Sequence, residues 1–256
     1  VLTLGVTPVL AAQLDHPRMR QDTQTWVGLW QQRAREMGFD GDPHRRETAA
    51  VEYAAASRVQ GLLASRWRAG GSPVLRTLRD DGVVELLGGP AAHPLLPLLQ
   101  PEFVRAALES GLADSGWRHG GRPRGIWAPE CAYAPGMETG YAAAGVGHFM
   151  VDGPSLHGDT ALGRPVADSD VVALGRDLQV SYRVWSPKSG YPGHAAYRDF
   201  HTYDHVTGLK PARVTGRNVS SDAKAPYEPQ RADRAVDVHV ADFVGVVRDR
   251  LMSESE

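Results

Sequence analysis

The chain has 256 residues, of which 42% are hydrophobic and 23% charged, an ordinary composition for a globular protein with one sizeable core. Its net charge of −2, with scattered basic residues, gives no electrostatic case for a nucleic-acid partner or an acidic membrane face. No apolar run approaches the roughly 20 residues of a membrane helix, and the single cysteine, Cys131, excludes an internal disulfide. We therefore expect one cytoplasmic domain of the α/β class.

The elements predicted along the chain alternate between apolar strands and helices. Strands are predicted over residues 1–6, 82–89, 124–130, 148–153, 170–175 and 178–185. Helices are predicted over residues 20–37, 45–69, 101–116, 137–146 and 231–251. The last two strands are close enough to form a hairpin. The alternation predicts a largely parallel sheet with helical crossovers, in which residues 1–6, 83–87, 126–128 and 149–151 are near neighbours.

Both ends of the chain are predicted to be internal to a longer protein. Residues 1–6 are a core strand without a lead-in, and the last residues directly follow a long helical pattern. In a parallel α/β fold a helix is normally followed by another strand.

The segment "WAPECAY" places Glu130 at the C-terminal end of a predicted strand, where parallel barrels build their active sites. A carboxylate there can act as a nucleophile, a general acid or base, or a metal ligand. Trp127 offers a flat face to a sugar ring, and Tyr133 a hydrogen bond to Glu130 or to a sugar hydroxyl. The structural alternative is a glutamate that caps the next turn. Cys131 is a poor nucleophile, because the adjacent carboxylate disfavours a thiolate.

Two further stretches supply candidate side chains. His93 lies in a loop stiffened by prolines after Gly88 and Gly89, and Glu85 alternates with apolar neighbours, as a residue of a barrel interior does. The long segment from Ser186 to about Pro229 suits a functional loop. Aromatic and hydrogen-bonding groups that suit carbohydrate are concentrated at its start, namely Arg183, Trp185, Lys188, Tyr191, His194 and Tyr197. A structured loop without a site is the alternative for both stretches.

The spacing of His201 and His205 is compatible with a metal site, since on a helix the two side chains would share one face. Carbohydrate deacetylases on related barrels use such a pair with an aspartate. The surrounding "HTYDHVTGLK" does not predict a firm helix, so no metal ligand and no cofactor is assigned.

Three segments, in order, resemble glycoside hydrolase family 57: "ELLGGPAAHPLLPLL" at 85–99, "WAPECAYAPG" at 127–136 and "VWSPKSGYPGHAAYRDF" at 184–200. The last is similar to the actinobacterial branching-enzyme subgroup. The resemblance implies an incomplete (β/α)7 barrel, an α-glucan substrate, a retaining mechanism with Glu130 as nucleophile, and 1,4-α-glucan branching. It also implies that His93 lines the sugar site. We expect His93, Trp127, Glu130 and Trp185 to converge on one cleft, with Tyr133 and Tyr191 as further substrate contacts.

The chain departs from the family pattern at both ends. The family's opening His-x-His-x-Pro strand is not found, and the resemblance places the acid/base aspartate beyond Glu256. No acid/base residue is therefore assigned, and residues 1–256 alone are expected to be inactive. Asp152, at the end of strand 148–153, is predicted to be a turn or site-lining residue. An α-glucan hydrolase, a 4-α-glucanotransferase, a non-catalytic glucan-binding fragment and a metal-dependent deacetylase stay open, as does the oligomeric state.

Overall fold

The computed structural model describes residues 2–157, 160–216 and 218–252. Its helices are α1 (Pro8–Asp15), α2 (Pro17–Met37), α3 (Pro43–Ala64), α4 (Gly71–Asp80), α5 (Pro101–His119), α6 (Met137–Ala143), α7 (Leu178–Trp185) and α8 (Pro229–Met252). Its strands are β1 (Leu2–Gly5), β2 (Val84–Leu87), β3 (Gly125–Trp127), β4 (His148–Val151), β5 (Arg164–Pro165) and β6 (Val172–Gly175). The five predicted helices are thus found, as α2, α3, α5, α6 and α8.

The chain divides into two compact units. The first joins Val1–Gln21 to Arg66–Asp177 and contains the strands named above. The second joins Asp22–Ser65 to Leu178–Glu256 and contains α3, α7 and α8.

The strands of the first unit pair largely in parallel. β1 pairs with β2, β3 with β4, and β4 with β6, all in parallel. The link between β2 and β3 is made by Gly88, whose N–H donates to the Gly125 carbonyl at 3.0 Å and whose carbonyl accepts from the Trp127 N–H at 3.1 Å. The strands thus form a two-stranded sheet, β1-β2, and a four-stranded sheet, β3-β4-β6-β5, which the isolated bridge at Gly88 joins. The first four strands are near neighbours, as predicted, but they belong to two sheets and not to one; Val1 lies outside the described residues.

One face of the four-stranded sheet is covered by helices. Ile126 and Phe149 are fully buried there against Leu108 of α5 and Tyr141 of α6. Burying a side chain of this size stabilises a fold by about 1.5–3 kcal/mol. Because successive side chains of a strand alternate between faces, Trp127 points to the opposite side. The helices therefore pack on one face of the strands, and the opposite face and the C-terminal strand ends are where a site can form.

Helix α5 also fixes the loop that carries His93. A side chain at Gly111 would come within 2.1 Å of the Gly89 carbonyl oxygen, so helix and loop touch backbone to backbone. The Ala91 N–H donates to the Ala107 carbonyl of α5 at 2.8 Å. Glycine at position 111 is required by this close approach.

Residues 178–185 form helix α7, so the predicted strand and hairpin at this position are wrong. The antiparallel partner of β6 is instead the short strand β5. The alternation of Val180, Tyr182 and Val184 satisfies a strand, but Tyr182 and Trp185 also have helical spacing from Leu178. Periodicity alone does not decide such short apolar runs, and packing of α7 against α8 selects the helix.

Two helices were not predicted from the sequence, α1 and α4. Pro8 stands at the first helical position of α1, where its missing N–H costs nothing. Thr7 caps this helix by accepting a hydrogen bond from the Leu10 N–H at 3.2 Å. The Gly70–Gly71 pair likewise begins α4 as well as ending the segment before it.

The second unit has its own small core, formed by Ala34, Met37, Ala49 and Leu209, with Trp30 packed against it. Its long loop is held by ion pairs, including a nearly buried one between Lys224 and Asp199. Within the described ranges, no helix is both long and apolar enough to cross a membrane.

Candidate active site

Glu130 lies in a tight turn directly after β3. The turn, Pro129–Cys131, is closed by the Cys131 N–H donating to the Ala128 carbonyl at 2.9 Å and the Ala132 N–H donating to Pro129 at 3.0 Å. Glu130 has φ 55° and Cys131 φ 55°, the left-handed region that residues other than glycine seldom adopt. The turn directs the Glu130 carboxylate outward, with 77% of its side chain exposed.

The loop after β2 brings His93 to the same place. The imidazole Nε2 of His93 lies 3.9 Å from the Glu130 Oε1. Ala92 and His93 also have positive φ, 59° and 52°. Such conformations cost about 1–3 kcal/mol per residue and concentrate at functional sites. The segments that follow β2 and β3 therefore each contain two consecutive residues with positive φ, and their polar side chains, His93 and Glu130, are in contact.

The second ring nitrogen of His93 is an unusual feature of this loop. Its Nδ1 atom is buried and has no hydrogen-bond partner among the residues that the structure describes. A buried nitrogen without a partner is costly, since it has lost its water. The ring is thus held by its loop and not by a hydrogen bond of its own.

The next two strand ends supply Asp152, after β4, and Arg176, after β6. The guanidinium of Arg176 contacts Asp152 Oδ1 at 2.6 Å through Nη2 and at 3.1 Å through Nε. The Arg176 hydrogen bond lowers the pKa of the Asp152 carboxyl. Asp152 is therefore a carboxylate at neutral pH and has no proton to donate. Arg176 was not among the predicted site residues, although it directly follows the predicted strand 170–175.

Cys131 lies among these charges. Burial raises the pKa of its thiol; the Arg176 charge opposes this, and the carboxylates of Asp152 and Glu130 add to it. The thiol therefore stays protonated at neutral pH, which makes it a poor nucleophile.

Of the two partners predicted for the Tyr133 hydroxyl, Glu130 is not the one found, and contact with a sugar stays a prediction. The Tyr133 hydroxyl donates to Glu138 Oε2 at 2.5 Å, and its ring stacks on Phe149 at 5.2 Å between centroids. Burial and the Glu138 carboxylate raise the pKa of the phenol. Glu138 also accepts from the Gly136 N–H at 2.8 Å. Tyr133 therefore fastens the segment after Glu130 to the sheet.

Trp127 and Glu85 lie on the face of the sheet that the helices leave open. Trp127 is half-buried at the end of β3. Glu85 in β2 accepts a hydrogen bond from the Thr3 hydroxyl at 3.1 Å, and its Oε1 lies 3.4 Å from the His148 Nε2.

Trp185 and Tyr191 belong to the second unit. Trp185 ends α7 with 81% of its surface exposed. The Tyr191 hydroxyl donates to Asp242 Oδ2 at 2.6 Å, and its ring stacks on His239 at 4.5 Å. The convergence of these two side chains with Glu130 stays a prediction.

No group of three His, Cys, Asp or Glu side chains within residues 2–157, 160–216 and 218–252 is arranged to hold a metal ion. His201 and His205 lie outside helices and pack against the rings of Phe200 and Tyr203 respectively.

A comparison with family models matches residues 47–194 to glycosyl hydrolase family 57. Among curated proteins, a probable 1,4-alpha-glucan branching enzyme of Mycobacterium tuberculosis is 64% identical over 272 residues. That match covers 100% of this chain and 51% of the relative. The chain therefore spans about half the length of this relative.

Two solved structures are similar over 98% of this chain. One is a family 57-type branching enzyme from Pyrococcus horikoshii, with TM-score 0.90, 28% identity and 50% of that chain covered. The other is the alpha-amylase AmyC from Thermotoga maritima, with TM-score 0.86, 26% identity and 55% covered. These neighbours confirm the predicted fold class, an incomplete (β/α)7 barrel with parallel strands.

Proposed function

Because the chain belongs to glycosyl hydrolase family 57, we propose that it carries the nucleophile half of the active site of a 1,4-α-glucan branching enzyme. The observation that supports this best is the meeting of Glu130 and His93 at two strained strand ends, 3.9 Å apart. The relative that is 64% identical is named a probable branching enzyme, which favours branching within the family.

The proposed reaction has two steps. A Glu130 oxygen attacks the anomeric carbon of a glucosyl residue, the bond from that carbon to the 4-oxygen of the next residue breaks, and an acid protonates the departing oxygen. A 6-hydroxyl of another glucan chain then attacks the anomeric carbon, its proton goes to the same group acting as base, and Glu130 is released. The anomeric configuration is retained because it is inverted twice.

The chain's own residues have distinct parts in this proposal. Glu130 is exposed and, among the residues that the structure describes, forms no ion pair closer than the His93 contact, so its oxygens are accessible for bond formation. The half-buried His93 ring lines the site and is available to a sugar hydroxyl. Trp127, Trp185 and Tyr191 are proposed as further sugar contacts, with Trp127 and Trp185 supplying flat apolar faces.

Asp152 does not serve as the acid in this proposal. A retaining enzyme needs a second carboxyl group about 5–5.5 Å from the nucleophile that is protonated when the substrate binds. The Arg176 hydrogen bond lowers the pKa of Asp152 and keeps it ionised. We assign the pair Asp152–Arg176 to lining the site and expect the acid from another part of the protein.

Hydrolysis of α-glucan is the second candidate, and the similarity to the amylase of Thermotoga maritima favours it. The two reactions share the glycosyl intermediate and differ in whether water or a glucan hydroxyl takes it.

We also place the protein in the cytoplasm with glycogen as its polymer, in keeping with one thiol in a reducing compartment.

The experiment is linkage analysis of amylose treated with the purified intact protein that contains residues 1–256. Branching produces new α-1,6 linkages with no gain in reducing ends, whereas hydrolysis produces reducing ends alone. Glu130→Gln is expected to abolish either product, because an amide cannot form the intermediate. Glu109→Gln, at an exposed position of α5, is the matched control and keeps full activity. Product formation by Glu130→Gln at the wild-type rate would overturn the assignment.

A further inference from the structure

The two loops of the candidate active site follow strands of different sheets. His93 follows β2 of the two-stranded sheet, and Glu130 follows β3 of the four-stranded sheet. In the part of the chain that the structure describes, the backbone hydrogen bonds between the two sheets are those of Gly88 with Gly125 and Trp127. Because this backbone link is so short, the position of His93 relative to Glu130 depends on other contacts as well.

A side-chain contact spans the same junction between the sheets. The His148 ring of β4 reaches across β3 to Glu85 of β2, and its Nε2 lies 3.4 Å from the Glu85 Oε1. The other carboxylate oxygen of Glu85 accepts a hydrogen bond from the Thr3 hydroxyl of β1 at 3.1 Å. Glu85 and His148 thereby connect β1 and β2 with β4, so the contact joins the two sheets.

The strand that leads to Glu130 lies directly against the His148 ring. Gly125 of β3 pairs with His148 in the parallel ladder, and a Cβ at Gly125 would lie 2.1 Å from the His148 Nε2. The ring thus contacts the backbone of β3, an approach that only glycine allows. On the opposite face of β3, Ile126 is fully buried in the core. The strand is therefore fixed from both faces, by the core and by the ring.

We propose that His148 and Glu85 are positioning residues that hold the Glu130 turn in place against the His93 loop, an inference that takes its catalytic consequence from the proposed function. They act through β3, because the ring on Gly125 and its contact with Glu85 set the distance between β3 and β2. A misplaced nucleophile lowers the rate more than the affinity, and a displacement of about 1 Å can cost about a hundredfold in turnover.

The test is a double-mutant cycle on the purified intact protein that contains residues 1–256, with kcat and KM for amylose as the readouts. Gly125→Ala places a methyl group where the ring lies, and His148→Ala removes the ring. Each is expected to lower kcat about tenfold and to change KM by less than about twofold. Because both substitutions break the same contact, the double variant should also lose about tenfold, and not the roughly hundredfold of independent effects.

Two further variants complete the kinetic test. His148→Gln carries an amide N–H that can donate to Glu85 in place of the imidazole, so it should keep at least about a third of the wild-type kcat. Gly140→Ala is the matched control, since a Cβ at this exposed glycine of α6 meets nothing within 4 Å, and it keeps full activity. If Gly125→Ala does not fold, the comparison of His148→Ala with His148→Gln decides, and an equal loss of kcat in both overturns the proposal.

A second measurement is independent of activity. In crystal structures of the wild type and of His148→Ala, the distance from the His93 Nε2 to the Glu130 Oε1 should differ by more than about 0.5 Å, the tolerance of a productive site. In His148→Gln this distance should match the wild type.

The outcomes separate this inference from the proposed function. An unchanged distance in His148→Ala overturns the positioning role, whatever the activity. A changed distance in a protein that forms no product supports the positioning role and counts against the proposed function alone. A loss of about a hundredfold in the double variant overturns the proposal, because the two substitutions then act independently. If Glu85→Gln raises KM more than about tenfold at unchanged kcat, Glu85 contacts the substrate and the proposal is also overturned.

Discussion

Two histidines, one in each unit, show how differently the same side chain is used. His93 has a buried Nδ1 without a partner among the described residues and an Nε2 that faces Glu130 at 3.9 Å. His239 in α8 has its Nδ1 in a 2.6 Å hydrogen bond with the Tyr197 hydroxyl and its ring stacked on Tyr191. The Nδ1 of His93, near the strand ends, thus lacks a hydrogen bond among the described residues, whereas the Nδ1 of His239, between α8 and the long loop, has one. An unsatisfied polar group in a strained loop therefore indicates chemistry, and a satisfied one indicates architecture.

The largest difference should follow from His93→Asn. Asparagine tolerates a positive φ and keeps a polar group, but it cannot reproduce the imidazole. We expect kcat/KM on amylose to fall about a hundredfold, which corresponds to about 2.7 kcal/mol of transition-state stabilisation. The free energy of unfolding should change by less than about 0.5 kcal/mol, because the imidazole is only half-buried and its Nδ1 has no hydrogen bond to lose among the described residues. An unfolding free energy that falls as much as the activity would place His93 with the architectural residues.

A smaller effect, on stability alone, is expected from Asp199→Asn. Its carboxylate is nearly buried, pairs with Lys224, and accepts from the N–H groups of His201 and Thr202 at 2.8 and 3.0 Å. The substitution leaves the Lys224 charge without its partner, and we expect a loss of about 2 kcal/mol in chemical denaturation. Lys224→Met in the Asp199→Asn background should restore part of this loss.

The same carboxylate predicts a pH dependence. Burial alone would raise the pKa of Asp199, but hydrogen bonds from Lys224 and the two backbone N–H groups lower it overall from 3.8. The unfolded state therefore binds the proton more tightly, and the stabilising contribution is present above pH 3.8 and lost as the pH falls further. In Asp199→Asn, the unfolding free energy should depend less steeply on pH below 3.8. If that pH dependence were the same as in the wild type, the assignment to Asp199 would be contradicted.

The smallest effect is expected from Tyr191→Phe, which removes the hydroxyl that donates to Asp242 and keeps the ring on His239. Unfolding should become easier by about 1 kcal/mol, the net value of one hydrogen bond. Turnover of amylose should stay near the wild-type value if the hydroxyl only anchors the loop. A large fall in kcat would assign that hydroxyl to the substrate.

The sequence predicts what depends on local rules. The alternation of strands and helices and the position of Glu130 after an apolar run follow from patterns within a few residues. The same rule applied to residues 170–175 also predicts a site residue at Arg176.

What the sequence does not predict depends on partners distant in the chain. Tyr191 is satisfied by Asp242, 51 positions away, and the aromatic content of its loop gives no indication of this. The Tyr133 hydroxyl donates to Glu138, and this contact depends on the left-handed conformation of Gly136 between the two residues. Residues 178–185 become helix α7 because they pack against α8, which begins more than 40 residues later. Each miss is a case in which tertiary contact overrides local preference.

The contact between Gly111 and the loop of His93 has a consequence for how sequences of this protein can vary. Where a loop is positioned by side-chain contacts, neighbouring side chains can shift to accommodate a substitution. Here the helix backbone meets the Gly89 carbonyl directly, and even a methyl group at position 111 would lie 2.1 Å from that oxygen. Alanine at this position would push the loop away, although it touches neither His93 nor Glu130. An intolerant position behind this site is therefore a helical glycine with no chemistry of its own, and a catalogue of reactive side chains would omit it.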